Sequence, residues 1–335
     1  MLWSALRWDG QMVGHELQDW LADRARQRRT QRAIDDFAAE WGRSFAHRRF
    51  DEAVVALPEQ SAEAVAEAVR TLFADDAWVD ALIDGLTRQM QADPFFDPPF
   101  RAINSDIHSG LIVFEDERVS VAAGVTGVVQ LAAKKTAKRR ATSVGFSGRV
   151  SVVKFVKAGG ARIGFWEAPK ITAGFSAAEA GQCRQTGSLT LADGDILVID
   201  GRYQSYVIEH AGSSLVILQA EINLDQAPLG VEYDSATHAY VGCSANGDGA
   251  SRIQMITTLI RKLDCAGAFD AVAPFLDHPD FFVRWHVMKE LLGIDATAAL
   301  PHLKRMAAHD PHPEARRAAR TVLDRLDAPK PQEAA

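Results

Sequence analysis

Apolar and polar positions along the chain follow two different periods, and the period changes twice. From residue 16 to about residue 92, apolar side chains recur every three or four residues, as Val65, Val69 and Leu72 do. This spacing predicts amphipathic helices, and Ser61 is placed to cap one of them. The first region is therefore predicted to be helical.

A further helix of this region is predicted to follow Asp75 and Asp76, either of which can act as its N-cap. The prolines between residues 93 and 101 end the helical region, since proline cannot continue a helix. The apolar positions of this helix predict one buried stripe, made of Val79, Leu82, Ile83, Leu86 and Met90.

Between residues 103 and 242 the pattern shortens to β-rich segments that are separated by Gly, Asp and Asn. Regularly spaced strands without intervening helices predict an antiparallel sandwich or barrel. The predicted strands lie within residues 110–125, 150–156, 162–166, 187–201, 203–211 and 214–222.

From about residue 250 the helical period returns, and it carries an internal repeat. Arg252, Arg284 and Arg316 align at a spacing of 32 residues. The same spacing aligns two sets of apolar positions: Met255, Val287 and Ala319, and then Leu259, Leu291 and Leu323. Two helices in each unit of roughly 30 residues predict a helical solenoid, with Val287 and Leu291 facing its core.

The turns of this repeat read Pro279-DFFVRWHVMKEL and Pro311-HPEARRAARTVL, and they resemble HEAT-like repeats of the short, lyase-associated kind. The resemblance implies a surface for a protein partner. Two and a half copies, the first of them degenerate, are too few to stand alone, because each copy needs neighbours to cover its apolar face. The array is therefore expected to dock on the β region or on the N-terminal helices.

Composition narrows the class of protein. The 335 residues are 47% hydrophobic and 24% charged, which excludes a wholly disordered chain. No run approaches the roughly 18 apolar residues that span a bilayer, and charged residues interrupt the N-terminal segment, so neither a membrane span nor a secretory signal is expected. Three cysteines, an odd number, favour a reducing compartment, and the cytoplasm is the expected location.

Basic residues are concentrated in two segments, 24–29 and 132–142. Each is open to two interpretations: a segment that binds an anionic partner, or a solvated helix end or hairpin tip. We favour the second for both. The net charge of −7 disfavours nucleic acid as the main partner.

Residues 194–210, GDILVIDGRYQSYVIEH, resemble the second half of a cupin jelly roll. The family resemblance implies a metal-binding His near Gln204 and a His-x-His motif in the first half of the barrel. The sequence has no His between His108 and His210, so the metal triad of that family is absent at the matching positions. We therefore predict a cupin-like barrel that holds no metal and no cofactor.

The chain carries none of the motifs of a nucleophilic hydrolase, a P-loop or a dinucleotide-binding turn, and no catalytic residue is assigned from it. What remains is a set of candidate ligand-binding side chains in the predicted barrel: Trp166, Arg202, Gln204 and Tyr206. Strand alternation places the last three on one face, which we expect to look inward. An inward Arg needs a counter-charge, which Asp195, Asp200 or a small anionic ligand can supply.

These observations predict an α+β protein with a helical N-terminal region (1–100), an antiparallel jelly-roll or cupin-like barrel (101–243), HEAT-like helical repeats (250–327) and a flexible tail (328–335). The expected function is that of a non-catalytic binding or regulatory protein, with the repeats for a protein partner and the barrel for a small ligand. The alternative is a metal-independent cupin-type enzyme, such as an isomerase, cyclase or lyase, that acts on a small metabolite.

Overall fold

Helices stand at both ends of the described chain, and strands lie between them. The structure, a computed structural model, describes residues 10–55, 57, 60–105, 107–129 and 143–327. The basic segment 132–142 and the predicted tail 328–335 lie outside the described residues. The predicted α+β class is confirmed, since the strands follow one group of helices and precede another.

The N-terminal helices are α1 (Gly10–Ala22), α2 (Arg24–Gly42), α3 (Phe45–Val55), α4 (Ala62–Phe73) and α5 (Ala77–Ala92). The basic segment 24–29 forms the first turns of α2, where most of its side chains face solvent. Ser61 caps α4 as predicted, because its hydroxyl accepts a hydrogen bond from the Ala64 N–H at 3.2 Å. At α5, the carboxylate of Asp75 accepts from the Ala77 N–H at 3.1 Å.

The predicted stripe of α5 is wrong at two of its positions. Val79 and Leu82 are buried, at 2% and 5% exposure, whereas Ile83 and Met90 are 46% and 51% exposed. Ile83 and Met90 stand seven residues apart and therefore share one edge of the helix, which turns toward solvent. The spacing of apolar residues thus predicts the buried face of α5 correctly at Val79 and Leu82, but it wrongly includes Ile83 and Met90 in that face.

The strands form three antiparallel sheets in the described chain. They are β1 (Arg101–Asn104), β2 (His108–Glu115), β3 (Val119–Thr126), β4 (Ser143–Phe146), β5 (Val150–Lys157), β6 (Arg162–Glu167), β7 (Arg184–Thr190), β8 (Ile196–Asp200), β9 (Gln204–His210), β10 (Leu215–Ile222), β11 (Leu229–Asp234) and β12 (Tyr240–Ala245). The large sheet has the order β1-β2-β3-β10-β5-β8, and the two small sheets have the orders β7-β6-β9 and β12-β11-β4. The small sheets meet where the Ser205 hydroxyl of β9 donates to the Gly145 carbonyl of β4 at 2.5 Å.

Both faces of the large sheet are covered. On its outer face, Val152 and Leu218 pack against the N-terminal helices. On its inner face, Val153 and Phe155 pack against Ile163 of β6, and this second core forms the interior of the barrel. A sheet that is covered on both faces requires apolar residues at most positions, and β5 accordingly shows almost no alternation.

A buried lysine joins the helices to the sheet. Lys154 of β5 is 3% exposed and reaches into the helical layer, where its ammonium group donates to the Phe73 carbonyl at 2.6 Å and to the Asp76 carboxylate. The side chain of Asp76 makes no capping hydrogen bond to α5 and serves as the counter-ion of Lys154 instead.

The C-terminal helices are α6 (Asp248–Lys262), the short α7 (Phe269–Val272), α8 (Phe281–Ile294), α9 (Ala296–His309) and α10 (Pro313–Asp327). Val287 and Leu291 of α8 are fully buried, as predicted. None of the described helices is both long and apolar enough to cross a membrane.

Two of the aligned arginines make the same contacts in consecutive repeats. Arg284 and Arg316 each donate to the carbonyls six and five residues before them, which belong to His278, Pro279, Asp310 and Pro311. The register of the 32-residue spacing is thus confirmed for these two copies. Arg284 also forms a buried, two-pronged pair with the Asp310 carboxylate, at 2.9 and 2.7 Å, which links one turn to the next.

The repeat array rests on the barrel, which is one of the two docking surfaces that the sequence left open. Phe281 and Phe282 at the start of α8 pack against a core that includes Tyr233 of β11 and Cys183 before β7. The Ala177 N–H donates to the Glu314 carboxylate of α10 at 2.8 Å. All three cysteines are free thiols, and Cys183 is buried, whereas Cys243 and Cys265 are exposed.

Candidate functional site

Two of the predicted ligand-binding residues line one cleft in the barrel. Trp166 of β6 and Gln204 of β9 both border a cavity of about 210 Å³. Trp166 is 7% exposed, and its indole Nε1 is buried without a hydrogen-bond partner among the described residues. A buried donor without an acceptor is a place where a ligand can supply the missing group.

Tyr206 lies further along the same strand and faces the barrel interior. Its ring packs edge-on against Phe155 of β5, with centroids 6.2 Å apart. Burial and, to a smaller extent, the nearby Glu221 carboxylate together raise the pKa of the Tyr206 phenol to about 12. Gln204 and Tyr206 share one face of β9, as strand alternation predicted.

Arg202 does not join them, and the expectation that it lies in the barrel interior is wrong. Its guanidinium pairs with the Asp200 carboxylate at 2.8 Å and with Glu63 of α4, so it lies between the barrel and the helical layer. Arg202 belongs to the turn before β9, and strand alternation does not extend into a turn. Asp200 is its counter-charge, as anticipated, while Asp195 accepts a hydrogen bond from the Ala192 N–H within its own turn.

The sequence interpretation missed a carboxylate and a guanidinium in a second cleft. Glu221 of β10 and Arg149 border a cavity of about 500 Å³ next to β4, β11 and β12. Burial raises the pKa of the Glu221 carboxyl, although the neighbouring Gln219 amide and Arg149 oppose this shift. One carboxylate oxygen accepts from the Gln219 amide at 2.5 Å, and the other is buried without a partner among the described residues.

A signal for Glu221 is present in the sequence. Leu215, Ile217, Gln219 and Glu221 share one face of β10, and this face changes from apolar to polar along the strand. The opposite face, which carries Leu218 and Ala220, remains apolar and packs on the helices. A polar end on an inward face is the pattern of a site rather than of a solvated surface.

The interior side chains do not fit a metal. They offer one carboxylate, two amides and a phenol, from Glu221, Gln204, Gln219 and Tyr206, whereas a transition metal in such a barrel requires imidazole and carboxylate ligands. Among the residues that the structure describes, no group of three His, Cys, Asp or Glu side chains is placed to hold a metal ion. The metal-independent barrel stays a prediction.

A second kind of site lies at the start of the repeat array, on α6. Met255, Ile256, Leu259 and Leu263 are 67%, 55%, 53% and 65% exposed. Three of them recur at four-residue spacing, so together they make one apolar face, which we call the α6 face. Val287 and Leu291, which hold the same repeat positions as Met255 and Leu259, are fully buried in α8.

The reason for this exposure is the place of α6 in the array. α8 has α7 before it and α9 after it, whereas α6 follows directly on β12 in the described chain and makes its main contact among the repeat helices with α8. The opposite side of α6 is attached to α8 by Thr258 and Arg261, which both donate to the Glu290 carboxylate. The first repeat therefore lacks the helix that would cover its apolar positions.

A comparison with protein families bears on the repeats. The chain matches the family of HEAT repeats over residues 243–324, which confirms the resemblance predicted for this region. No curated protein matches the sequence.

Solved structures similar to this chain include an ectoine synthase, a cupin domain and a polyketide cyclase. An ectoine synthase from P. lautus is 10% identical, with 37% of this chain and 69% of that chain covered and a TM-score of 0.23. A cupin domain from Bordetella pertussis is 14% identical, with 36% and 97% covered and a TM-score of 0.21. A polyketide cyclase from Streptomyces resistomycificus is 8% identical, with 37% and 74% covered and a TM-score of 0.21. At such identities and TM-scores, nothing that these proteins bind or catalyse is transferred to this chain.

Proposed function

We propose that the protein binds another protein through the start of its repeat array. The observation that carries the proposal is the exposed α6 face, since Val287 and Leu291, the counterparts of Met255 and Leu259 in the next repeat, are fully buried. A terminal repeat that only ended the array would present a polar outer face to water. An apolar face at this position is typical of an interface.

The charges around the α6 face indicate the kind of partner. Arg252 and Lys262 are exposed and stand three residues from Met255 and Leu259, so they lie on the same side of the helix. A second copy of the chain, docked by two-fold symmetry, would bring these cations close to their own copies. We therefore propose an amphipathic helix with acidic flanks as the occupant, in the place of the helix that the first repeat lacks.

The proposal is tested by using the full-length protein as bait in an extract of its own cells. A double substitution, Met255→Glu with Leu259→Glu, places two carboxylates on the α6 face. It should lose a polypeptide that the unchanged protein retains, since burying an unpaired charge is strongly unfavourable. Leu326→Glu is the matched control, because Leu326 is 58% exposed on α10 at the other end of the array.

Two results would contradict the proposal. One is retention of the same polypeptides by the double variant. The other is self-association of the unchanged protein, measured by light scattering, that the double variant abolishes, since this would make a second copy the occupant.

A second candidate function concerns the barrel, and Glu221 is the observation that favours it. A carboxyl group whose pKa is raised and whose second oxygen has no partner among the described residues is suited to hold or transfer a proton. The Arg149 guanidinium donates to the Gln226 side chain at 2.8 Å and to the Asn246 carbonyl at 2.5 Å, and its positive charge at the same cavity is suited to a small anionic ligand. This combination supports the metal-independent isomerase, cyclase or lyase as the alternative, with Glu221 as the proton carrier. The predicted ligand contacts of Trp166 and Gln204 belong to the adjoining 210 Å³ cleft.

Thermal unfolding in the presence of small carboxylates tests this alternative. A true ligand should raise the unfolding temperature of the unchanged protein and not that of Arg149→Met, because only binding to the native state stabilises it. If every compound shifts both proteins equally, the barrel has no such site. We further propose the cytoplasm as the location and the regions 1–100, 101–243 and 250–327 as the functional units.

A further inference from the structure

The N-terminal helices enclose a cavity that neither proposed function uses. Its volume is about 430 Å³, and helices α2, α3, α4 and α5 contribute to its wall. Much of this wall is aromatic and aliphatic, with Phe37, Trp41, Phe50, Leu72, Trp78 and Leu82. Cavities of this size and character bind small apolar molecules.

Two indole rings in this wall differ in their hydrogen bonds. The Trp41 Nε1 donates to the Val113 carbonyl of β2 at 2.8 Å. The Trp78 side chain is more deeply buried than that of Trp41, at 9% exposure, but its Nε1 has no acceptor among the described residues. Buried Trp N–H groups usually find a partner, so this donor marks a place for an acceptor atom that the described chain does not supply.

The rim of the cavity carries the charges. Arg49 pairs with the Asp75 carboxylate at 2.9 Å and lies over the ring of Phe45, which is 69% exposed. Arg88 of α5 also borders the cavity, is exposed, and makes no ion pair among the described residues. Glu40 stands on the opposite helix, α2, and is the acidic residue of the rim besides Asp75.

We propose that this cavity binds a medium-sized apolar carboxylate. Its hydrocarbon body would lie among the aromatic side chains, and a carboxylate oxygen would accept from the Trp78 Nε1. Arg88, which makes no ion pair among the described residues, would attract the negative charge to the rim. The Trp78 donor and the apolar wall together select an apolar molecule that carries an acceptor rather than one that carries only donors.

Calorimetric titration of the full-length protein with decanoate, and with decylammonium as the charge-inverted probe, tests the proposal. Decanoate should bind saturably at one site per chain and raise the unfolding temperature. Decylammonium should bind at least about tenfold more weakly, because it offers no acceptor to Trp78 and is repelled by Arg88.

Three variants locate the site. Trp78→Phe keeps a ring in the wall and removes the donor, so it should weaken decanoate binding about tenfold. Ala81→Phe fills the cavity from α5, since Ala81 lies in its wall, and should abolish binding. Thr87→Phe, on the exposed side of the same helix and outside the wall, should leave binding unchanged.

Absence of saturable decanoate binding to the unchanged protein would overturn the proposal. So would equal affinity for the two probes, or unchanged decanoate binding in Trp78→Phe. Thermal unfolding of each variant shows whether it folds. If Ala81→Phe does not fold, decanoate binding by Trp78→Phe is the test of the proposal. None of these outcomes depends on the α6 face or on the barrel.

Discussion

Glu221 and Arg202 show how strongly the surroundings of one side chain decide its role. Arg202 is satisfied on two sides, by Asp200 and by Glu63, and it therefore holds α4 against the barrel and is not available to a ligand. One carboxylate oxygen of Glu221 accepts a hydrogen bond from Gln219, and the other has no partner among the described residues. A buried polar atom without a hydrogen-bond partner either lowers the stability of the folded protein or receives its hydrogen bond from a ligand.

The raised pKa of Glu221 gives a pH-dependent stability that its replacement should remove. The unfolded carboxyl titrates near its ordinary pKa of 4.5, and the folded one titrates above it. Between these two values the unfolded chain loses the proton first, so stability falls as the pH rises and levels off above the folded pKa. Glu221→Gln should therefore match the unchanged protein in stability at about pH 4 and be more stable than it at about pH 7.

Urea unfolding at several pH values measures this difference. Glu117→Gln is the control, because Glu117 is exposed in a turn and should give the same pH profile as the unchanged protein. A constant difference between Glu221→Gln and the unchanged protein at every pH would contradict the assignment.

At the scale of the element, the same repeat position has opposite environments in neighbouring helices. Leu291 of α8 is fully buried among other helices, whereas Leu259 of α6 is 53% exposed. The two leucines are equivalent in sequence, and the difference between them arises only from which neighbours surround each helix. Comparing the two leucines therefore separates the contribution of side-chain packing to the free energy of unfolding from that of helix propensity.

Truncation of the two leucines to alanine should give very different losses of stability. Leu291→Ala leaves a cavity in the repeat core and should cost about 2–5 kcal/mol of unfolding free energy. Leu259→Ala should change it by no more than about 0.5 kcal/mol, since the side chain is largely in water. Chemical denaturation measures both, and equal losses would mean that the register of the array is wrong.

These elements also explain what the sequence could and could not predict. The spacing of 32 residues was enough to place Leu291 in the core, because a repeat buries equivalent positions alike. It could not reveal that Leu259 is exposed, since that depends on a helix that the first repeat does not have. Glu221 was missed for a similar reason: one face of β10 does change from apolar to polar, but both faces are covered, and the pattern does not show that the polar end borders a cavity.

At the scale of the whole molecule, the three regions share their cores. The N-terminal helices and the large sheet bury one another, and the repeat array packs on the opposite layer of the barrel through Phe281 and Phe282. The sequence anticipated this contact, because so short an array cannot cover itself. It could not say where the contact would be, since neither phenylalanine differs in type from the apolar residues of an ordinary repeat.

The stability of this assembly is expected to be independent of metal. Elemental analysis of the purified protein should find no iron, zinc or manganese in stoichiometric amount, because the part of the chain that the structure describes holds no group of three His, Cys, Asp or Glu side chains placed for a metal ion. Addition of a chelator should leave the unfolding temperature unchanged. A protein that is stabilised by a bound metal would instead lose the metal to the chelator and unfold at a lower temperature. About one metal ion per chain, or a fall in unfolding temperature with chelator, would contradict this.

The buried thiol of Cys183 can report how often the core around it opens. Its thiol is 1% exposed, and burial raises its pKa, so both access and ionisation oppose attack on it by a thiol reagent. Cys243 and Cys265 are exposed and will be modified first. The delay before the third thiol reacts then measures how often the core around Tyr233 opens, without any label having to be introduced.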